Sequence, residues 1–137
     1  MKDPVTMARR VFFWAGVYGL IVLAPQYLIE LGLGPPLPGP IQRPEHFYGF
    51  ISVALAWQVV FFCIARDVRR FRLLMLPAII EKLAFGVPVL LLFAANRVGS
   101  DVLAFGCLDL AFGGLFALAY RATRPAAAAQ MNGRSTT

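Results

Sequence analysis

Residues 73–95 read LLMLPAIIEKLAFGVPVLLLFAA, an apolar run interrupted by two charged residues, Glu81 and Lys82. At about 1.5 Å per residue, a helix of this length crosses the hydrocarbon core of a bilayer, which is about 30 Å thick. Its Leu, Ile, Val and Phe residues favour insertion by roughly 4 to 8 kcal/mol, whereas a central carboxylate and ammonium oppose it by roughly 5 to 7 kcal/mol. The run therefore predicts a membrane-spanning helix whose charged groups need buried partners.

Three further apolar stretches, residues 11–31, 47–65 and 102–120, are also long enough to cross a bilayer. Their charged residues are Glu30 and Asp109. With 59% hydrophobic residues in a chain of 137, the composition is too apolar for a single soluble domain. We therefore expect an all-α protein, an integral membrane antiparallel four-helix bundle formed by residues 1–124, followed by a disordered cytoplasmic tail over 125–137.

The distribution of basic residues predicts the orientation of this bundle. Ten of the 13 Lys and Arg residues fall on the side that holds both termini: Lys2, Arg9, Arg10, Arg66, Arg69, Arg70, Arg72, Arg121, Arg124 and Arg134. Arg43 and Arg97 fall on the opposite side. By the positive-inside rule, both termini and the 66–72 loop are expected in the cytoplasm. Because the basic residues cluster at the ends of apolar spans, nucleic acid is not an expected partner.

The loop between the second and third spans is dense in guanidinium groups. Each of them gains on the order of 1 kcal/mol near anionic lipid headgroups. The residues expected to contact headgroups are Arg66, Arg69, Arg70 and Arg72. Membrane lipids are thus predicted partners, although the same loop could serve solely to determine topology.

The connection over residues 32–46 contains five Pro and three Gly residues. Such a segment cannot be helical and is expected to run extended across the outer surface. It is either a cap over the bundle or a semi-rigid spacer between two helices. Its single His46 lacks partners at ligand spacing, so no metal site is predicted.

Four polar side chains on three spans are expected at a similar depth, about 10 to 16 Å from the cytoplasmic boundary on ideal helices. They are Gln58, Glu81, Lys82 and Asp109, here called the polar cluster. An ion pair between Lys82 and Asp109 is the simplest way to satisfy both charges in a low dielectric. Glu81 is then expected to have Gln58 or cavity water as its partner.

Small residues accompany Asp109 on its predicted helix face. Gly106 and Gly113 lie three positions before and four positions after it, which allows a neighbouring helix to approach closely. Trp57, next to Gln58, is deep enough to line a cavity for a flat apolar ligand. Trp57, Gly106 and Gly113 are therefore candidate pocket-lining residues.

Two interpretations of the polar cluster stay open: a structural brace that fixes helix register, and a proton- or ligand-linked site. An enzyme would need an acid and base pair, and Glu81 with Asp109 is the pair available within the spans. The sequence contains no catalytic motif and no His base at the required spacing. We therefore assign no catalytic residues, and the sequence favours a non-enzymatic function while leaving an enzyme as an alternative.

Three segments of the chain can be compared with known families: the run from Tyr48-Gly49-Phe50 into Trp57-Gln58, LPAIIEKL at residues 76–83, and the ending from Asp109-Leu110 to Tyr120-Arg121. Through these segments the chain shows a resemblance to DoxX-like families of small bacterial inner-membrane proteins. It implies a four-helix bundle in the bacterial inner membrane. Its better-known members are linked to quinone-associated redox systems only through partners, so no cofactor is predicted, and a quinone is a candidate ligand beside a sterol-like lipid. No catalytic residue or bound cofactor is carried over.

Three functions are consistent with these features. The favoured one is an accessory or small-ligand- or lipid-binding subunit with a buried polar cluster. A proton-coupled small-molecule transporter would act as an oligomer, because four helices barely enclose a pathway. A lipid- or quinone-linked membrane enzyme is the third. A homodimer or a membrane-protein partner is expected in the first two cases.

Overall fold

The computed structural model describes residues 3–33 and 40–124, without the side chains of Glu30 and Leu31. All regular structure in this part of the chain is helical, as predicted. The elements are α1 (Pro4–Leu23), a 3-10 helix (Ala24–Leu31), α2 (Pro44–Arg66), a 3-10 turn (Arg72–Leu74), α3 (Met75–Ala94) and α4 (Ser100–Ala122). The predicted disordered tail over 125–137 and the Pro-rich centre of the loop, 34–39, lie outside the described residues.

The first helix begins before the predicted span at residue 11, because local signals start a helix at Pro4. Asp3 is the N-cap, and its carboxylate accepts a hydrogen bond from the Thr6 amide at 3.2 Å. Pro4 suits the first helical position, where no amide donor is required. The Thr6 side-chain hydrogen bond lowers the pKa of Asp3, which lies outside the apolar span. The helix therefore extends past the purely apolar residues.

Each of the four long helices is apolar and long enough to cross a membrane. The candidate spans are Pro4–Ile29, Pro44–Arg66, Arg72–Ala94 and Ser100–Ala122. They match the four predicted spans. The first begins seven residues before the predicted boundary, and every other end differs by one to three residues.

The helices run antiparallel in two pairs. Gly16 lies against the Phe62 ring and Gly19 against the Gln58 amide, so residue numbers fall along α2 as they rise along α1. Gly86 likewise faces Leu110 on α4. The α1–α2 and α3–α4 pairs join through contacts of α1 with α4, whereas α2 and α3 have few direct contacts. The side between α2 and α3 is consequently the most open.

An aromatic core closes one end of the bundle, here called the terminal end because α1 begins and α4 ends there. The Phe12 and Phe116 rings stack with centroids 4.1 Å apart, and Phe61 meets Phe116 edge-on at 5.1 Å. All three side chains are fully buried. Around them lie small and aliphatic residues: Ala8, Ala15, Ile64, Ala65, Val68, Met75, Ala78 and Ala119. These buried side chains fill the interior of the bundle at the terminal end.

Candidate functional site

A cavity of about 250 Å³ lies between the four helices on the distal side of the aromatic core. Its lining consists of Ala15, Tyr18, Gly19, Val22, Leu23, Gln26, Phe50, Ala54, Gln58, Glu81, Lys82, Phe85, Val102, Phe105, Asp109 and Phe112. Along α4 it extends from Val102 to Phe112, a length of about 15 Å. An engineered apolar cavity of about 150 Å³ in another protein binds benzene, so this one has room for a small organic molecule.

Lys82 is the centre of the polar cluster. Its ammonium Nζ donates to Asp109 Oδ1 at 3.1 Å and to Glu81 Oε1 at 3.4 Å. The same nitrogen lies 5.4 Å from the centroid of the Phe61 ring, within range of a cation–π contact. The Lys82 side chain is 9% exposed, so its charge is balanced by these neighbours rather than by solvent. The predicted pair of Lys82 with Asp109 is present.

Glu81 has a different partner from the one expected. Its carboxylate contacts Lys82, with Oε2 3.3 Å from Nζ, rather than pairing with Gln58. Adjacent residues on a helix diverge by about 100°, but the long Lys82 side chain bends far enough to reach its neighbour. One ammonium therefore faces two carboxyl groups. The Glu81 Oε2 atom is buried and has no hydrogen-bond partner among the described residues.

Gln58 lies on the opposite wall of the cavity, on α2. Its Nε2 donates to the Ala54 carbonyl at 2.7 Å, which orients the amide and leaves Oε1 as a free acceptor. Oε1 is buried without a hydrogen-bond partner in the described part of the chain. The amide fits only because Gly19 of α1 lacks a side chain, since a Cβ at that position would overlap Oε1.

The distal part of the cavity carries a second glutamine. Gln26 donates from Nε2 to the Val22 carbonyl at 3.0 Å, in the same way as Gln58 does within its own helix. Its amide oxygen is therefore available to the cavity. Glu30 follows Gln26 in the same 3-10 helix, and its side chain lies outside the described part of the structure.

Aromatic rings form much of the remaining wall. Phe50 and Phe85 lie 6.0 Å apart between centroids, on the side where α2 and α3 have few contacts. Tyr18 and Phe112 meet at 5.7 Å on the α1–α4 side. The cavity is thus mainly apolar, with the polar cluster at the end nearest the core and Gln26 in its distal part.

The three candidate pocket-lining residues lie elsewhere. Trp57 packs beside the terminal core, with its ring 6.2 Å from that of Phe61. Gly106 is buried against Val89, and Gly113 against Lys82 Cβ. Both glycines allow α3 and α4 to approach closely, in agreement with the small-residue argument, but neither faces the cavity.

The arginines of the 66–72 loop divide into two groups. Arg66, Arg69 and Arg70 are exposed at the terminal end. Arg72 is instead partly buried: its guanidinium stacks 3.8 Å from the Tyr120 ring, and Nη2 donates to the Tyr120 carbonyl at 2.8 Å. Arg72 therefore holds the end of α4, which the prediction of a headgroup contact did not include.

Sequence reasoning missed several residues of the cavity, among them Tyr18, Gly19 and Phe85. Gly16 and Gly19 are three residues apart, a spacing that permits a close helix approach but does not identify the helix that approaches. No sequence signal marks the aromatic residues, because phenylalanines facing lipid and phenylalanines facing a cavity have the same spacing on a helix.

Comparisons of the chain with protein-family models, with curated proteins and with solved structures found no match. The function is therefore inferred from the residues and geometry of the site.

Proposed function

We propose that this chain is a multi-pass protein of the bacterial inner membrane, with both termini in the cytoplasm. Large apolar side chains are exposed on the outer surface of every helix, including Trp14 at 62%, Val53 at 62%, Leu91 at 67% and Leu118 at 59%. In water such a surface would aggregate, whereas lipid tails cover it at no cost. The ten-to-two distribution of basic residues supports the orientation.

Within the membrane, we propose that the protein acts as a small-ligand-binding or accessory subunit. The observation that carries this function is the position of the polar cluster at one end of a mainly apolar cavity. Binding sites for small molecules are typically apolar hollows with a few convergent polar groups that fix orientation. An amphipathic molecule would place its polar group beside Glu81 and Gln58 and its apolar body between the aromatic rings.

A purely structural brace is less well supported. In a brace, the polar atoms satisfy one another and the helices close around them, since a buried acceptor without a partner costs roughly 1 to 3 kcal/mol. Here Gln58 Oε1 and Glu81 Oε2 have no hydrogen-bond partner among the described residues, and open volume adjoins the cluster. A bound ligand would account for both features.

The test uses a matched pair of tryptophan substitutions on α2. Ala54 lines the cavity, whereas Ala56 is exposed on the outer face of the same helix. Purified protein in detergent is heated with and without a bacterial lipid and quinone extract. We expect the extract to raise the melting temperature of the wild type and of Ala56→Trp, but not that of Ala54→Trp, whose indole fills the cavity.

Equal stabilisation of the two tryptophan variants would place the effect of the extract on the outer surface and would contradict the proposal. If the extract stabilises the wild type and Ala56→Trp but not Ala54→Trp, fractionation of the extract would show whether lipid or quinone causes the stabilisation. The DoxX-like resemblance, a transporter or enzyme activity, and a homodimer or membrane-protein partner all stay predictions.

A further inference from the structure

We propose that the cavity selects cationic amphiphiles, namely small apolar molecules that carry one ammonium group with N–H donors. This inference rests on the proposed function, because it concerns the ligand of the same cavity. It follows from three features of the wall: an ammonium that is already bound to carboxylates, oxygens that make no hydrogen bond, and an excess of carboxyl groups over ammonium groups.

The cationic donor of the polar cluster is occupied within the protein. The Lys82 ammonium donates to Asp109 and Glu81 and lies near the Phe61 ring. The donors left on the wall are neutral: the second N–H of each of the amides Gln26 and Gln58, and the Tyr18 hydroxyl. A ligand that carries acceptors alone would therefore meet neutral donors, since the ammonium is already bound to carboxylates.

Two oxygens of the polar cluster make no hydrogen bond. Gln58 is 2% exposed and its Oε1 has no hydrogen-bond partner in the described residues. Glu81 Oε2 lies 3.3 Å from the Lys82 ammonium, an ion contact without a hydrogen bond. A ligand with N–H groups beside these side chains would supply a hydrogen-bond donor to each oxygen.

The charges of the cluster favour a cation over a neutral donor. Glu81 and Asp109 carry two carboxyl groups, and Lys82 supplies one ammonium, which gives a formal charge of −1 when all three are ionised. A second monovalent cation would balance that charge in a medium of low dielectric. An anionic ligand would increase the imbalance.

The aromatic wall suits the rest of such a ligand. The rings of Phe50, Phe85 and Phe112 line the cavity beyond the polar cluster. They provide apolar surface for a ligand body, and aromatic faces also attract cations. The small volume favours a body about the size of a single aromatic ring.

The experiment measures binding of four probes that share a phenylethyl-sized body, with wild-type protein in lipid nanodiscs and empty nanodiscs as the blank. The probes are 2-phenylethylammonium, 2-phenylethanol, phenylacetate and the trimethylated phenylethylammonium, which is cationic but has no N–H group. We expect 2-phenylethylammonium to bind about tenfold or more tightly than the alcohol, the scale of a charge-assisted hydrogen bond. The trimethylated cation is expected to bind less tightly than the primary one, and phenylacetate least.

Two variants test whether the Glu81 carboxyl group causes the preference for the cation over the alcohol. Glu81→Gln keeps the shape of the side chain and removes one carboxyl group, so it should abolish the preference for the cation over the alcohol. Glu45→Gln makes the same change at an exposed position outside the cavity and should leave the preference intact. If Glu81→Gln does not fold, the wild-type order of the four probes still decides the question.

The outcomes separate this inference from the proposed function. Equal binding of cation and alcohol, with both lost in Ala54→Trp, would overturn the cationic selectivity while supporting a ligand-binding cavity. Binding that is unchanged in Ala54→Trp would overturn both. Absence of binding for every probe would overturn the cationic selectivity alone, and the extract experiment would still decide the proposed function.

Discussion

The Lys82 ammonium lies 3.1 Å from Asp109 Oδ1 and so joins α3 to α4 by a charged hydrogen bond inside the bundle. The Asp109 side chain is 16% exposed, which leaves little solvent to screen the pair. Because the same ammonium also contacts Glu81, removal of Lys82 would leave two carboxyl groups facing each other without a cation. The energetics of the site therefore depend on three residues rather than on a single pair.

Lys82→Met should lower the free energy of unfolding by roughly 3 to 5 kcal/mol, the range for a buried charge left without its partner. Adding Asp109→Asn should recover part of this loss, and adding Glu81→Gln as well should recover most of it. Unfolding in mixed micelles with increasing denaturing detergent measures each step. If the triple variant is as unstable as Lys82→Met alone, the three groups do not form one electrostatic unit.

Gly86→Ala should destabilise the contact between α3 and α4. A Cβ at this position would lie 2.5 Å from Leu110 Cγ and 3.0 Å from the Gly106 carbonyl oxygen, which belongs to the backbone and cannot turn away. Overpacking of this kind costs about 1 to 3 kcal/mol. Gly114→Ala on α4 is the control, because a Cβ there meets no described atom within 4 Å. Equal melting temperatures for the two variants would show that the helices separate more easily than this packing implies.

Gly19→Ala should impair ligand binding by moving the Gln58 amide. The added Cβ would overlap Gln58 Oε1, so the amide must shift into the cavity and occupy space needed by the ligand. We expect at least a tenfold weaker affinity for 2-phenylethylammonium in nanodiscs, about 1.4 kcal/mol. Gly49→Ala, with open space around its Cβ on α2, should bind as the wild type does. Unchanged affinity in Gly19→Ala would separate Gln58 from the binding site.

Arg72→Gln should loosen the end of α4. The substitution removes the guanidinium that stacks on the Tyr120 ring and donates to the Tyr120 carbonyl, a loss of roughly 1 to 2 kcal/mol. Arg69→Gln removes an exposed charge from the same loop and should have little effect on stability. Hydrogen exchange of the amides over residues 117–122 reports the difference. Equal protection in both variants would argue against a clamp at Arg72.

Part of the candidate site could be predicted from the sequence. Charged residues are so costly inside an apolar span that Glu81, Lys82 and Asp109 stand out, and helical periodicity placed Lys82 and Asp109 on facing surfaces. The double contact of Lys82 could not be predicted, because it depends on how a flexible side chain bends within the space that its neighbours leave. Trp57 shows the same limit: its depth was predictable, but its direction, toward the terminal core, was not.

The sequence by itself determined the four apolar helices, because the length and hydrophobicity of each span are local properties that any helix partner leaves unchanged. Only the tertiary structure decided that α1 packs between α2 and α4, that Gly19 makes room for Gln58, and that aromatic rings close the terminal end while a cavity stays open beyond them. These features depend on shape complementarity between residues distant in the chain. Apolar side chains facing lipid and apolar side chains facing another helix are chemically alike, so composition and periodicity do not distinguish them.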